Sequence, residues 1–132
     1  MTNRAPKPTD IKLRQKQRIL ELTFDDGGHY ELPCEYLRVY SPSAEVRGHG
    51  PGQEVLQIGK EGVNIVAIEP VGTYAIVLRF DDGHDTGIYS WDTLYELAKH
   101  RSEYWEKYLG RLEAAGHQRS TQDYDAMMSS VD

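Results

Sequence analysis

The stretch Leu22-Thr-Phe-Asp-Asp-Gly27 recurs as Leu78-Arg-Phe-Asp-Asp-Gly83, and its reading decides the fold. Each copy is an apolar run that ends in Asp-Asp-Gly. Asp-Gly tolerates the positive φ angles that tight hairpins need, so each copy predicts a strand entering a turn. Each continues into a short return strand and a helix, opened by Pro33-Cys-Glu-Tyr-Leu37 in the first copy and Ser90-Trp-Asp-Thr-Leu94 in the second. The spacing slips by one residue between turn and helix. Two explanations stand side by side. A whole unit is duplicated, or the same turn chemistry is used twice, since a core-facing Phe beside Asp-Asp-Gly starts a hairpin readily.

Outward from the first copy, Ile11 and Leu13 alternate with Lys12 and Arg14, predicting a strand that turns through Gln15-Lys16-Gln17 into 19–24. Residues 29–32 return. Pro33 suits the first turn of a short helix over 34–40, which Ser41-Pro42-Ser43 stops. Residues 47–53 form a glycine-rich loop, and 54–58 a short strand. Residues 63–70 and 74–80 read as strands, the latter the most apolar run, and 86–89 return. Ser90 is an N-cap for one long helix over 91–114, with Trp91, Leu94, Tyr95, Ala98, Trp105, Tyr108, Leu109 and Leu112 on a broad apolar face. Gly116 stops it. The fold class is therefore α+β, with antiparallel β-hairpins packed against one long C-terminal helix and one short helix. Residues 1–9 read as a flexible lead-in, 10–115 as the domain, and 116–132 as a disordered tail whose docking candidates are Tyr124 and Met127-Met128.

A chain of 132 residues fits one domain with its own core. A formal charge of −6 argues against a general nucleic-acid binder, which needs a basic footprint. The single cysteine, Cys34, rules out an internal disulfide and a multi-cysteine metal site, and reads as a small buried residue at a helix start. The first ten residues hold no apolar signal segment, and no run approaches a membrane span. The expected location is cytoplasmic.

Asp25, Asp26, Asp81 and Asp82 lie at the two turns, with His29 and His84 beside them. Paired acids near a histidine can bind a metal or move protons, but turn aspartates commonly stabilise turns and face water. The loop Gly48–Gly52, with Arg47 and His49, has the backbone freedom to cradle an anion. It is no phosphate-binding P-loop, because the required first glycine falls on Glu54. Ser41 and Ser43 lack a nucleophile elbow.

Leu32-Pro-Cys-Glu-Tyr-Leu-Arg-Val-Tyr-Ser-Pro-Ser-Ala-Glu-Val-Arg47, followed by Phe80-Asp-Asp-Gly-His-Asp-Thr-Gly-Ile-Tyr-Ser-Trp91, resembles the gamma-butyrobetaine hydroxylase-like N-terminal domain family over about residues 9–113. The resemblance implies a domain that precedes the barrel of 2-oxoglutarate- and iron-dependent oxygenases, stands alone in bacteria, or is fused to P-loop ATPases of iron–sulfur cluster assembly. It also implies a structural zinc held by three cysteines and the histidine of Asp-Gly-His. Those positions fall here on Ser41, Ser43, Val46 and His84, of which His84 alone can ligate, so neither zinc nor another cofactor is expected. The resulting expectation is a non-enzymatic accessory module. It would bind a protein partner linked to iron–sulfur assembly or to an oxygenase, or a second copy of itself, and neither nucleic acid nor membrane. The alternative is a metal- or anion-binding protein. The candidate surface for either comprises Arg47, His49, Asp81, Asp82 and His84.

Overall fold

Alternation along Ile19–Phe24 turns Leu20, Leu22 and Phe24 into the core, and the same spacing along Ala75–Phe80 buries Ile76, Leu78 and Phe80. In the computed structural model, which describes residues 6–48 and 50–129, these runs are the central strands of two three-stranded antiparallel sheets. The first sheet is β1 (Pro8–Arg14), β2 (Ile19–Phe24) and β3 (His29–Pro33), which runs directly into α1 (Cys34–Val39). A one-turn α2 (Ala44–Arg47) and an irregular stretch follow. The second sheet is β4 (Ile65–Val71), β5 (Ala75–Phe80) and β6 (Ile88–Ser90), running directly into α3 (Trp91–Lys99). The chain ends in α4 (Arg101–Ala114) and α5 (Asp125–Ser129). The fold is α+β, and both sheets, α1, α3 and α4 share one core with Trp105 and Tyr108.

The repeated hexapeptide marks a repeated structure. Gly27 and Gly83 both sit at φ 89°, and their N–H groups donate back to Phe24 (3.0 Å) and Phe80 (3.2 Å). The first aspartate of each turn pins the residue before the first strand. Asp25 accepts from the Lys7 N–H (3.2 Å) and Asp81 from the Asn64 N–H (3.1 Å), while their own N–H groups return bonds to those residues' carbonyls (2.9 Å each). Each first strand carries a register shift at its second residue, Thr9 or Val66. Each helix is entered alike, the Cys34 N–H donating to Arg18 (2.8 Å) and the Trp91 N–H to Tyr74 (3.1 Å). Turn chemistry reused in isolation accounts for the first of these matches but not for the pinned entries, the bulges and the helix starts. The two halves are structural repeats.

Several expectations need correction. The lead-in does not extend to residue 9: β1 begins at Pro8, an edge-strand start that needs no N–H there, because Asp25 holds Lys7. Residues 1–5 lie outside the described residues. Pro33 is the N-cap of α1 rather than part of its first turn. Residues 54–58 form no strand; side chains tie them instead, the Arg38 Nη1 donating to Gln57 Oε1 (3.0 Å) and the Tyr108 hydroxyl to the Gln57 carbonyl (2.6 Å). The single long helix is two, kinked at His100 (φ −108°, ψ 25°), where Arg101 Nη1 donates to the Glu31 carbonyl (3.0 Å). No Gly or Pro marks that kink; a tertiary contact does.

The segment read as a disordered tail is packed as far as α5. Arg119 chelates Glu35, buried to 1% exposure, and Asp125, and its guanidinium lies 4.8 Å from the Trp105 ring centre. Tyr124 donates to Glu35 Oε1 (2.6 Å), and Met128 is fully buried. A polar composition hides this docking, because one arginine completes a carboxylate buried elsewhere in the chain.

Gly27→Ala and Gly83→Ala meet no steric obstacle but force a Cβ into positive φ, so each should lower stability by about 1–2 kcal/mol, equally in the two repeats. Gly110→Ala, in open space on α4, should raise it by about 1 kcal/mol. Urea unfolding of the three variants checks both signs. Arg119→Ala leaves Glu35 buried and uncompensated; it should cost about 3 kcal/mol and strip exchange protection from α5 amides, and a loss under about 1 kcal/mol would contradict the clamp.

Candidate functional site

The C-terminal end of α1 runs through Tyr40 and Ser41 into a Ser43 cap, whose Oγ accepts from the Glu45 N–H (3.2 Å) and starts α2. This places α2 opposite the loop that follows the second Asp-Asp-Gly turn. There Ser41 Oγ meets His84 Nε2 at 2.8 Å, and Ser43 Oγ meets Thr86 Oγ1 at 2.7 Å. His84 is buried, its ring 6.0 Å from that of Phe80. Glu45 Oε2 lies 3.4 Å from His84 Nδ1, near enough to attract a proton but outside hydrogen-bond geometry. Burial, reinforced by the Arg38 charge, lowers the His84 pKa against the opposing pull of Glu45, so the imidazole is neutral at pH 7.

The positions that the resemblance assigns to zinc do come together in part. Ser41 touches His84, Ser43 bonds two residues further along the same loop, and Val46 is buried on α2. They do not fit the metal. Both hydroxyls are engaged with neighbours, Val46 offers no donor, and among the described residues no group of three His, Cys, Asp or Glu side chains is placed to hold an ion. Ser41, His84 and Glu45 also stand in the order of an acyl-transfer relay. Ser41 is wholly buried, however, and Gly87 packs so closely that a Cβ there would collide with Ser41 Oγ. The hydroxyl is thus engaged with His84 and packed against Gly87.

The turn carboxylates of the candidate surface are committed to structure. Asp81 pins Asn64. Asp82 accepts from the His84 N–H (3.2 Å), Arg38 Nε (2.9 Å) and Lys60 Nζ (2.7 Å); burial opposes its charge, but these donors prevail and hold its pKa down to about 2. His84 therefore shares a turn with Asp82 while facing a different set of partners. Cys34 is buried, as its position at a helix start led us to expect, and desolvation pushes its thiol up to about 12, so it stays protonated at pH 7.

Arg47 opens on something the sequence did not disclose. A cavity of about 600 Å³ lies between the ends of α1 and α2, the faces of α3 and α4, and the loop at Gly48, Gly50 and Pro51. His49 lies outside the described residues. Val39, Val46 and Leu97, all nearly inaccessible, make its floor. Tyr40 and Tyr104 stand against it, ring centres 5.5 Å apart. Arg47, Lys107 and Arg111 line its walls, and none of their side chains donates a hydrogen bond or forms an ion pair among the described residues. Two acids are also present. Glu96 receives the Tyr104 hydroxyl (2.6 Å) and Glu54 the Gly52 N–H (3.3 Å). Tyr104, Lys107 and Arg111 recur at three- and four-residue steps on α4, a stripe flanking the apolar face that the sequence reading passed over.

Residues 11–95 match the family model described as gamma-butyrobetaine hydroxylase-like, N-terminal. An NMR solution structure 56% identical covers 90% of this chain and is covered to 90%, at a TM-score of 0.75. A second, 47% identical, covers 89% of this chain and 92% of its own, at 0.77. A crystal structure at 1.93 Å of a protein with unknown function from Acidithiobacillus ferrooxidans, of the DUF971 family, is 37% identical over 70% of this chain and 92% of its own, at 0.59. No curated protein matches. Among the described residues no helix is long and apolar enough to cross a membrane.

The unfolded chain protonates His84 near pH 6.5 and the folded chain at a lower pH. Stability is therefore full above pH 6.5 and is lost as pH falls through the folded-state value. Urea unfolding between pH 8 and pH 5 should show this decline, and His84→Gln should flatten it. An unchanged slope in the variant would mean that other groups carry the effect.

Proposed function

The chain belongs to the gamma-butyrobetaine hydroxylase-like N-terminal family, and from that premise we propose that it is a non-enzymatic accessory module that works by binding, with the cavity under the glycine-rich loop as its recognition site. One observation carries the reading. Three cations whose side chains make no hydrogen bond among the described residues stand around an apolar floor in a space of ligand size. The buried carboxylate of Glu35 is matched by Arg119, whereas Arg47, Lys107 and Arg111 line the opening. Ser41 lines the cavity, but it is wholly buried and its hydroxyl is engaged with His84, which favours recognition over turnover.

The partner on this reading is a protein of iron–sulfur cluster assembly or a 2-oxoglutarate oxygenase. Family resemblance supports that choice, and it sets the experiment. The full chain is immobilised in native lysate and retained proteins are identified. A specific partner should be held by the wild type and by Lys12→Glu, on β1 outside the cavity, and lost by Arg47→Glu/Lys107→Glu. Equal retention by the cavity variant would move the recognition site elsewhere. A chain that holds nothing, and is monomeric in solution, would sink the partner reading.

A further inference from the structure

We infer that the cavity takes an organic carboxylate on an apolar body, a conclusion that rests on the cavity being the recognition site. The charges select an anion. Lys107 and Arg111 stand one turn apart on α4, and Arg47 lines the same opening from α2, so cations flank the cavity on two sides. The chain as a whole carries −6, so a cluster of three cations at one opening is not a by-product of general basicity.

The acids set the ligand's charge. Glu54 and Glu96 accept hydrogen bonds within the protein, from the Gly52 N–H and the Tyr104 hydroxyl, and Glu54 is also within the field of Arg111 and Lys107, so the cations are only partly offset. They still bring two negative charges to the same walls, for a local balance of three minus two, or +1. That balance suits a monoanion and penalises a phosphate dianion, which repels both glutamates. The floor sets the remainder. Val39, Val46 and Leu97 offer no hydrogen bond, and the Tyr40 and Tyr104 rings add flat apolar wall, so the body attached to the carboxylate is aliphatic or aromatic rather than a sugar. A free acid and the C-terminal carboxylate of a partner present the same chemistry, and the two are separable by experiment.

The test titrates the full chain, followed by backbone NMR, with phenylbutyrate, its amide, inorganic phosphate, and a short peptide ending in Phe with a free or an amidated C-terminus. The expected result is saturable binding of an acid form, with shifts around residues 46–55 and 96–111, and weakening on addition of salt. The Lys107→Gln and Arg111→Gln variants, which retain the fold by their spectra, should each weaken binding about tenfold. Binding of phenylbutyrate assigns the source to a free acid, and binding of the free peptide alone assigns it to a partner's terminus; either supports the inference. Amides that bind as well as acids, or phosphate that binds better, would overturn the ligand class and leave the cavity as a recognition site. Absence of binding by every probe overturns the inference; lysate retention that still depends on Arg47 and Lys107 would then show that the recognition site stands without it.

Discussion

Each Asp-Asp-Gly turn is clasped by the helix of the other repeat, and the rest of the molecule depends on that exchange. Asp26, in the first turn, accepts from the Tyr95 hydroxyl on α3 (2.7 Å), and Asp82, in the second, accepts from Arg38 Nε on α1 (2.9 Å). Tyr95 and Arg38 occupy equivalent places, each five residues after its N-cap, Ser90 or Pro33. Within each turn the labour is divided. The first aspartate holds its own sheet together, and the second spends one oxygen on the turn and the other on the opposite repeat. Two three-stranded sheets, each marginal alone, are thereby locked over one core.

The two clasps differ in kind, and the difference reaches the cavity. Tyr95 makes a single bond at the surface. Arg38 is nearly buried, pairs with Asp82, and sends its other nitrogen to Gln57, while Lys60 joins the same carboxylate. The irregular stretch 54–60 is thus anchored on the second clasp, and Glu54 and Val55 from that stretch form part of the cavity wall. Leu37-Arg38 and Asp82-Gly83-His84 are in this chain the two halves of one ion-paired contact, with the Ser41–His84 bond beside it.

Much of this was legible from residues. The strand β2 and the Ser90 cap of α3 are local in origin, set by alternation and by one hydroxyl accepting the Thr93 N–H. What escaped was non-local. Nothing around His100 announces a kink that a contact between Arg101 and Glu31 accompanies. Arg119 reads as a tail residue until Glu35, far away in sequence, is known to be buried and paired with it. Lys107 and Arg111 read as solvated helix charges until α2 and the glycine-rich loop are folded over against them. Arg47 was singled out for its loop, whereas Asp81 and Asp82 were singled out for chemistry and turn out to hold the architecture.

The repeat explains why the cavity lies where it does. A structure closed by two equivalent units would present equivalent surfaces, and binding needs a surface that occurs once. The non-repeated parts supply it. Helix α2 and the glycine-rich loop are inserted between the repeats, and α4 is appended after the second. The repeats lend the cavity Val39 and Leu97 from α1 and α3, residues of the floor. Every cation comes from the additions, Arg47 from α2 and Lys107 and Arg111 from α4. The repeats supply the shared core and its clasps, and the parts inserted between them or appended to them supply the charge at the cavity.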